Sequence, residues 1–354
     1  MELLFSNFPP MRMPRQTFFS AFTDLFMAST EMDIAVGFIT QESLGELYRL
    51  VEANQQTNLR LAIGMHYYDK FSRPEYNAAM HLNTFLRDNH RGEVRLVTPF
   101  RFHGKMYVGR NNGRTIGGII GSNNLSGIIE HGPRVYEASI LIDEERHAHQ
   151  MDTFVSQLIA TSTSNIADLE ITNFKETNPV LNGHENVSRV PPQEQTRAHD
   201  NLIRELSFEL PLSTTETAPG SNINACFGPG RLCRRNGLVK PRPWYEAEII
   251  VPARIARRPG YPISDTPEAE FYVITDDGWK FPCKISGQNN KNFRSKDDLQ
   301  ILGKWLKGRL EDAGILQVGE PVTRAMLEAY GRDTVTLTKT AYNDYWYLDF
   351  EARR

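Results

Sequence analysis

Apolar residues recur along this chain in two different patterns, and the change of pattern divides it. In the first half, short apolar runs alternate with amphipathic stretches. "MDIAVGFIT" (32–40) reads as a strand, with Ala35, Gly37 and Ile39 alternating. "QESLGELYRLVEAN" (41–54) sets Leu44, Leu47, Tyr48 and Val51 at helical spacing. "LRLAIGMHYY" (59–68) reads as another strand, and "PEYNAAMHLNTFLRDNH" (74–90) as a helix opened by a proline suited to the first turn. Four strands follow in quick succession, "EVRLVTP", "FRFHGKMYVG", "RTIGGIIG" and "VYEASILID", and then a helix over 144–162. Strand–helix repeats predict α/β layering, and the hairpin signal at Asn111-Asn112-Gly113 makes the sheet mixed.

The periodicity fails over 176–201, a polar stretch with prolines and asparagines that reads as a linker between domains 1–175 and 202–354. Beyond it the apolar runs are short. "LSFELPL" (206–212), "WYEAEIIVP" (244–252), "EFYVITDD" (270–277), "WKFPCKI" (279–285), "TVTLTKT" (334–340) and "YWYLDF" (345–350) read as strands, with an Asp-Gly hairpin signal in "TDDGWK". "KDDLQILGKWLKGRLEDAG" (296–314) is an amphipathic helix ending on a glycine, and "TRAMLEAYG" (323–331) is a shorter one. The expectation is an α/β domain with a mixed sheet flanked by helices, then a small β-barrel-like domain with short helices.

Composition narrows the class of protein. A length of 354 residues suits two domains, and 40% hydrophobic residues are enough for two cores. The net charge of −3 marks no overall basic or acidic character, so charge has to be read segment by segment. Three cysteines are too few for a disulfide framework, and Cys226 and Cys233 lack a downstream Cys/His pair for a structural zinc. Prolines interrupt "MELLFSNFPPMRMPRQ" before a signal-peptide core can form, and no run reaches the roughly 20 apolar residues of a membrane span. The expected location is a reducing bacterial cytoplasm, with no membrane partner.

One stretch carries polar groups that an ordinary strand pair does not need. In "HGKMYVGRNNGRTIGGIIGSNN" (103–124), strand geometry points His103, Lys105 and Tyr107 to one face. If this strand and 114–121 pair as a hairpin, Ser122 and Asn124 return beside His103. Glu137 follows in the next apolar run. These parts suit a phosphodiester: an imidazole can attack phosphorus or donate a proton, and an ammonium and an amide can hold non-bridging oxygens. A carboxylate can orient an imidazole. No Asp/Glu cluster with metal spacing accompanies them, so neither a metal nor another cofactor is expected.

The residues His103, Lys105, Gly121, Ser122, Asn124 and Ser126 resemble the phospholipase D signature, H-x-K followed by G-S-x-N-x-S. Where that family often has an aspartate, this chain has Arg110. The resemblance implies a covalent phosphohistidine and a second histidine as acid. Only one motif is present, since His66 and Lys70 in "GMHYYDK" have the wrong spacing. One motif per chain then predicts a homodimer through the N-terminal domain, with two His103 side chains facing across a two-fold axis.

Basic and amide residues gather in two stretches of the second half. "GPGRLCRRNGLVKPRPWYEAEI" carries Arg231, Arg234, Arg235, Asn236, Lys240 and Arg242; "KISGQNNKNFRSK" carries Lys284, Gln288, Asn289, Asn290, Lys291, Asn292, Arg294 and Lys296. Such side chains read base edges and grip phosphates in double-stranded DNA. This half resembles the plant B3-like pseudobarrel, in which an N-arm (here 222–242) and a C-arm (284–296) enter the major groove. The whole chain resembles type II restriction endonucleases of the NgoFVII/NgoAVII and BfiI-like kind. The resemblance implies site-specific, metal-independent cleavage of double-stranded DNA, and leaves open whether a helper ATPase subunit takes part. The competing readings are a lipid or nucleotide phosphodiesterase and a non-catalytic DNA-binding regulator.

Overall fold

In a computed structural model the chain divides into two compact units, 1–177 and 178–354. The structure describes residues 1–8, 10–12, 16–129, 135–175, 179–215, 222–228, 242–263, 270–342 and 345–352, with the backbone alone at 231–232 and 239–240.

The first unit is built from β1 (Glu2–Phe5), α1 (Phe18–Ala28), β2 (Glu31–Val36), α2 (Gln41–Ala53), β3 (Asn58–Ile63), α3 (His66–Asp69), α4 (Arg73–Asp88), β4 (Gly92–Val97), β5 (Lys105–Asn111), β6 (Arg114–Gly121), β7 (Ala138–Ile142), α5 (Glu145–Ser162) and β8 (Thr163–Asn165). Its described residues form a mixed eight-stranded sheet in the order β1-β7-β6-β5-β2-β3-β4-β8. The strands β2, β3 and β4 run parallel, joined by α2 and α4, while β5, β6, β7 and β1 pair antiparallel. Side-chain alternation sends Ile34, Val36, Leu61 and Tyr107 into one core with α1, α2 and α4, and Ala35, Ala62 and Val108 into a second with α5. Both faces are therefore covered, and the run from Met32 to Val36 is buried throughout rather than alternating.

Local chemistry sets the element ends. Thr17, Thr40 and Ser72 each close a capping box with the residue three positions on. The β5–β6 turn places Asn112 at φ 51° and Gly113 at φ 77°, the doubly left-handed turn that suits strand twist. Several strands are shorter than the sequence expectation, the one expected over 32–40 ending at Val36 and the one expected over 135–143 beginning at Ala138. The strand expected over 59–68 stops at Ile63 and gives way to α3. The strand expected from "FRFHGKMYVG" begins only at Lys105, so His103 stands just ahead of it.

The second unit comprises β9 (Ser188–Arg189), α6 (Pro192–Asp200), β10 (Leu202–Pro211), β11 (Arg231–Leu232), β12 (Val239–Lys240), β13 (Ile249–Ile250), α7 (Ala253–Ala256), β14 (Glu270–Thr275), β15 (Trp279–Ser286), β16 (Asn292–Ser295), α8 (Gln300–Asp312), α9 (Arg324–Tyr330), β17 (Thr334–Thr340) and β18 (Tyr345–Asp349). The sheet runs β10-β17-β18-β14-β15-β16-β13, and its two ends, β10 and β13, also touch, so it curls into a half-barrel. Phe208, Phe281, Phe293, Trp305, Trp346 and Phe350 fill the interior, with α8 as the plug. The segment 179–200, expected as linker, carries β9 on the edge of β15 and helix α6. The expected strand 244–252 shrinks to β13, because Glu246 N–H turns back to Pro243 O and Ala247 N–H bonds Leu299 O.

Candidate active site and nucleic-acid interface

The ends of four neighbouring strands converge at one edge of the first sheet. Val36, the last residue of β2, pairs with Lys105, the first of β5; Met106 pairs with Ile120 near the end of β6; Gly121 pairs with Ser139 of β7. His103, Ser122, Asn124 and Glu137 all lie just beyond these ends, so the topology brings together the residues that the motif separates in sequence.

His103 is exposed, whereas Lys105 is 7% exposed. Lys105 Nζ lies 3.1 Å from His103 Nδ1, 3.2 Å from its Nε2, and 2.7 Å from the His103 carbonyl oxygen, to which it donates. Burial lowers the Lys105 pKa, a pull that the Glu137 carboxylate opposes. The imidazole and the Phe38 ring meet near-perpendicularly with centroids 5.5 Å apart, and a Cβ on Gly37 would sit 3.1 Å from His103 Cδ2. Glycine at 37 therefore lets the imidazole lie against the end of β2.

Asn124 Oδ1 accepts from the Phe38 backbone N–H at 3.1 Å, which fixes which end of the amide faces the backbone. Its neighbour Asn123 is buried, accepts from Ser139 Oγ at 2.6 Å, and offers its carbonyl to Tyr107 Oη at 2.9 Å. Tyr107 thus holds the Gly-Ser-Asn-Asn turn from inside the core. Ser122 Oγ donates to the Glu137 carboxylate and accepts from Ala138 N–H at 3.0 Å. The Glu137 carboxylate thus accepts from Ser122 rather than from the imidazole that a carboxylate can orient.

Arg110, at the position of the family's aspartate, is buried and points away from this edge into a charge cluster. Its Nη2 donates to Asp33 Oδ2 at 2.6 Å and its Nε to Asp152 Oδ1 at 3.0 Å. Among the described residues no group of three or more His, Cys, Asp or Glu could hold a metal ion.

Sequence reasoning missed Gly37, Phe38 and the role of Tyr107. A backbone N–H is supplied by any residue except proline, so nothing in the sequence distinguishes Phe38.

In the second unit, β15 and β16 form the hairpin of the expected C-arm. Its tip turns through Gly287, Asn289 and Asn290, at φ 78°, 61° and 55°. Gln288, Asn289 and Lys291 are exposed there, while Asn290 and Asn292 are half-buried. Flanking cations are already paired: Lys284 and Lys296 lie 3.5 and 2.8 Å from Glu270, and Arg294 donates to Ser286 Oγ at 3.1 Å. On the expected N-arm, Arg231 and Lys240 are partners in the β11–β12 register, and Arg242 lies 3.4 Å from the buried Glu246. Arg234, Arg235 and Asn236 lie outside the described residues.

Comparison with known proteins assigns both halves. A model described as the NgoFVII restriction endonuclease N-terminal phospholipase D domain matches residues 15–171, and one described as the NgoFVII C-terminal B3-like DNA-binding domain matches 198–341. No curated protein matches the chain. Among solved structures, Nuc, a phospholipase D family member from Salmonella typhimurium, is 11% identical over 46% of this chain and 95% of its own, with a TM-score of 0.30. NucT from Helicobacter pylori is 12% identical over 46% and 99%, with a TM-score of 0.29. TrmBL2, an archaeal chromatin protein, is 12% identical over 40% of this chain and 47% of its own, with a TM-score of 0.27, so less than half of that protein is spanned. The assignment rests on the two family models: the chain belongs to the NgoFVII family of restriction endonucleases, with a phospholipase D domain followed by a B3-like DNA-binding domain.

Proposed function

We propose that this protein is a type II, site-specific endonuclease that cuts double-stranded DNA through a covalent phosphohistidine, at a site shared by two chains. The observation that carries the reading is the gathering of His103, Lys105, Ser122, Asn124 and Glu137 at one sheet edge, with the imidazole exposed above a buried ammonium.

In this reading one His103 nitrogen attacks phosphorus, a P–N bond forms and the P–O bond to the leaving strand breaks. His103 of the partner subunit gives its proton to the leaving oxygen. That same imidazole then takes a proton from water, which attacks phosphorus and breaks the P–N bond. Lys105 and the Asn124 amide nitrogen stabilise the non-bridging oxygens, where negative charge accumulates. Ser122 and Glu137 brace the turn that carries Asn124. Each step uses protein groups alone, so cleavage should proceed in EDTA.

The second unit supplies the target. Gln288, Asn289 and Lys291 at the hairpin tip are placed to read base edges, with Asn290 and Asn292 shaping the turn. Lys284, Arg294, Lys296 and the N-arm residues Arg231, Arg234, Arg235, Asn236, Lys240 and Arg242 serve the phosphates or the groove. The buried thiol of Cys283 suits a reducing bacterial cytoplasm. Assaying the purified chain alone decides whether a helper ATPase subunit is required.

The test is His103→Ala, assayed for cleavage of double-stranded DNA in EDTA and separately for DNA binding. Loss of cleavage with binding retained supports the reading. Unchanged cleavage overturns it, and loss of both activities from a folded variant would place His103 in binding instead.

A further inference from the structure

The residues that join β2 to α2 link the proposed catalytic edge to a buried histidine that the mechanism does not use. Phe38 N–H donates to Asn124 Oδ1 at 3.1 Å, and the next amide, Ile39 N–H, donates to His66 Nε2 at 3.2 Å. The Phe38 ring meets two imidazoles at near-perpendicular angles, His103 at 5.5 Å and His66 at 5.7 Å between centroids. One short segment therefore meets His103, Asn124 and His66 together.

His66 is built to act as an acceptor. It is 2% exposed and stacks on Phe71 at 4.6 Å. Its Nδ1 lies 3.2 Å from Lys70 O, a carbonyl that can only accept, so Nδ1 carries the proton and Nε2 presents its lone pair to Ile39. Burial lowers the His66 pKa to about 4, which keeps that lone pair available at neutral pH. The charged groups nearby are Glu75, 3.9 Å from Nδ1 and itself 3.7 Å from Lys175 Nζ, and Asp69 on α3.

We infer that His66 is a positioning residue for the proposed nuclease site, holding the 37–39 segment so that Phe38 presents its amide to Asn124 and its ring to His103. The inference rests on the catalytic reading above. A backbone amide at 39 without its acceptor must find another partner, and the segment shifts to do so. Displacements on the order of 1 Å at a reacting centre cost about 100-fold in rate.

The experiment compares His66→Leu, which removes the acceptor, with His66→Gln, whose side-chain oxygen can still take the Ile39 N–H. Single-turnover cleavage of bound DNA, DNA affinity and thermal unfolding are measured on the full chain, alongside His103→Ala. The expected result is a rate about 10- to 100-fold lower for His66→Leu with affinity within about twofold of wild type, and recovery to within about threefold of wild type in His66→Gln. A wild-type rate in His66→Leu, or equal losses in both variants, overturns the inference. If His66→Leu does not fold, His66→Phe takes its place as the variant without the acceptor: slower cleavage at unchanged affinity supports the inference, and a wild-type rate overturns it. The two readings separate cleanly. Wild-type cleavage by His103→Ala removes the catalytic assignment itself, whereas an inactive His103→Ala beside a fully active His66→Leu removes only the role of His66.

Discussion

Arg110 Nη2 donates to Asp33 Oδ2 at 2.6 Å across the β5–β2 pair, and the same guanidinium grips Asp152 on α5. Asp33 and Asp152 are 2% and 8% exposed, and Arg60 is the other arginine on Asp33. Arg110→Met strips Asp152 of its arginine and leaves two buried carboxylates under-compensated. The expected loss is about 3–5 kcal/mol in urea unfolding, the range for breaking a buried pair from one side. The pH dependence follows from Asp152. Burial pushes its carboxyl up, but hydrogen bonds from Arg110, Thr115 and Ser156 outweigh burial and leave it below its ordinary value. Its contribution is therefore present above the unfolded value of about 4 and is lost as pH falls through the lower folded one. Wild type should lose stability over that acid window, and Arg110→Met should lose less; parallel acid limbs would refute the assignment.

Gly64 seats the segment that carries His103. A Cβ there would lie 1.9 Å from the Phe102 carbonyl oxygen, and Phe102 N–H bonds Gly64 O at 3.2 Å. Backbone cannot yield as a flexible side chain can, so Gly64→Ala must push residues 102–103 off the end of β3. The expected cost is about 1–3 kcal/mol, with a fall in cleavage larger than the change in DNA affinity. Thermal melts and single-turnover cleavage check this, and an unchanged rate would show that the seat does not matter.

The sequence made the active-site parts legible because they lie at short, fixed spacing. The Asn-Gly turn fixes the β5–β6 register, and that register returns Ser122 and Asn124 to the end where His103 starts. Groups whose value is set by distant partners were not legible. β1 is a four-residue edge strand that owes its place to β7, more than a hundred residues later. α1 is crowded with phenylalanines, and its helical signal, the Thr17–Ser20 capping box, is short and local. Arg110 reads as a broken motif position until Asp33 and Asp152 are seen around it. The segment 179–200 reads as polar linker because its helix buries little apolar surface, Ala198 being its buried residue.

Lys105 is nearly buried beside an exposed imidazole, a placement suited to charge stabilisation more than to substrate capture. Lys105→Met keeps much of the side chain's volume and removes the charge. Under the proposed mechanism the cleavage rate should fall about 100- to 1,000-fold, as when one donor of an oxyanion site is lost. DNA affinity should stay within about threefold, because the proposed groove contacts belong to the other unit. Single-turnover kinetics and fluorescence anisotropy test the split, and an affinity loss matching the rate loss would make Lys105 a binding residue.

Glu270 is the exposed carboxylate shared by two cations of the expected C-arm, Lys296 at 2.8 Å and Lys284 at 3.5 Å. The pair with Lys296 holds the Glu270 carboxyl below its ordinary value, and Lys284 adds to the pull. Under the proposed reading, a phosphate approaching these lysines competes with a charge already in place, and Glu270 is expected to restrain indiscriminate binding. Glu270→Gln frees both ammonium groups while keeping the side chain's shape. Affinity for random-sequence DNA should rise several-fold at low salt, and the slope of log K against log salt should steepen by up to about one. Affinity for the cleaved site should rise less, which narrows discrimination between the two. Titrations of both DNAs across a salt series measure this, and an unchanged slope would place Lys284 and Lys296 away from the DNA.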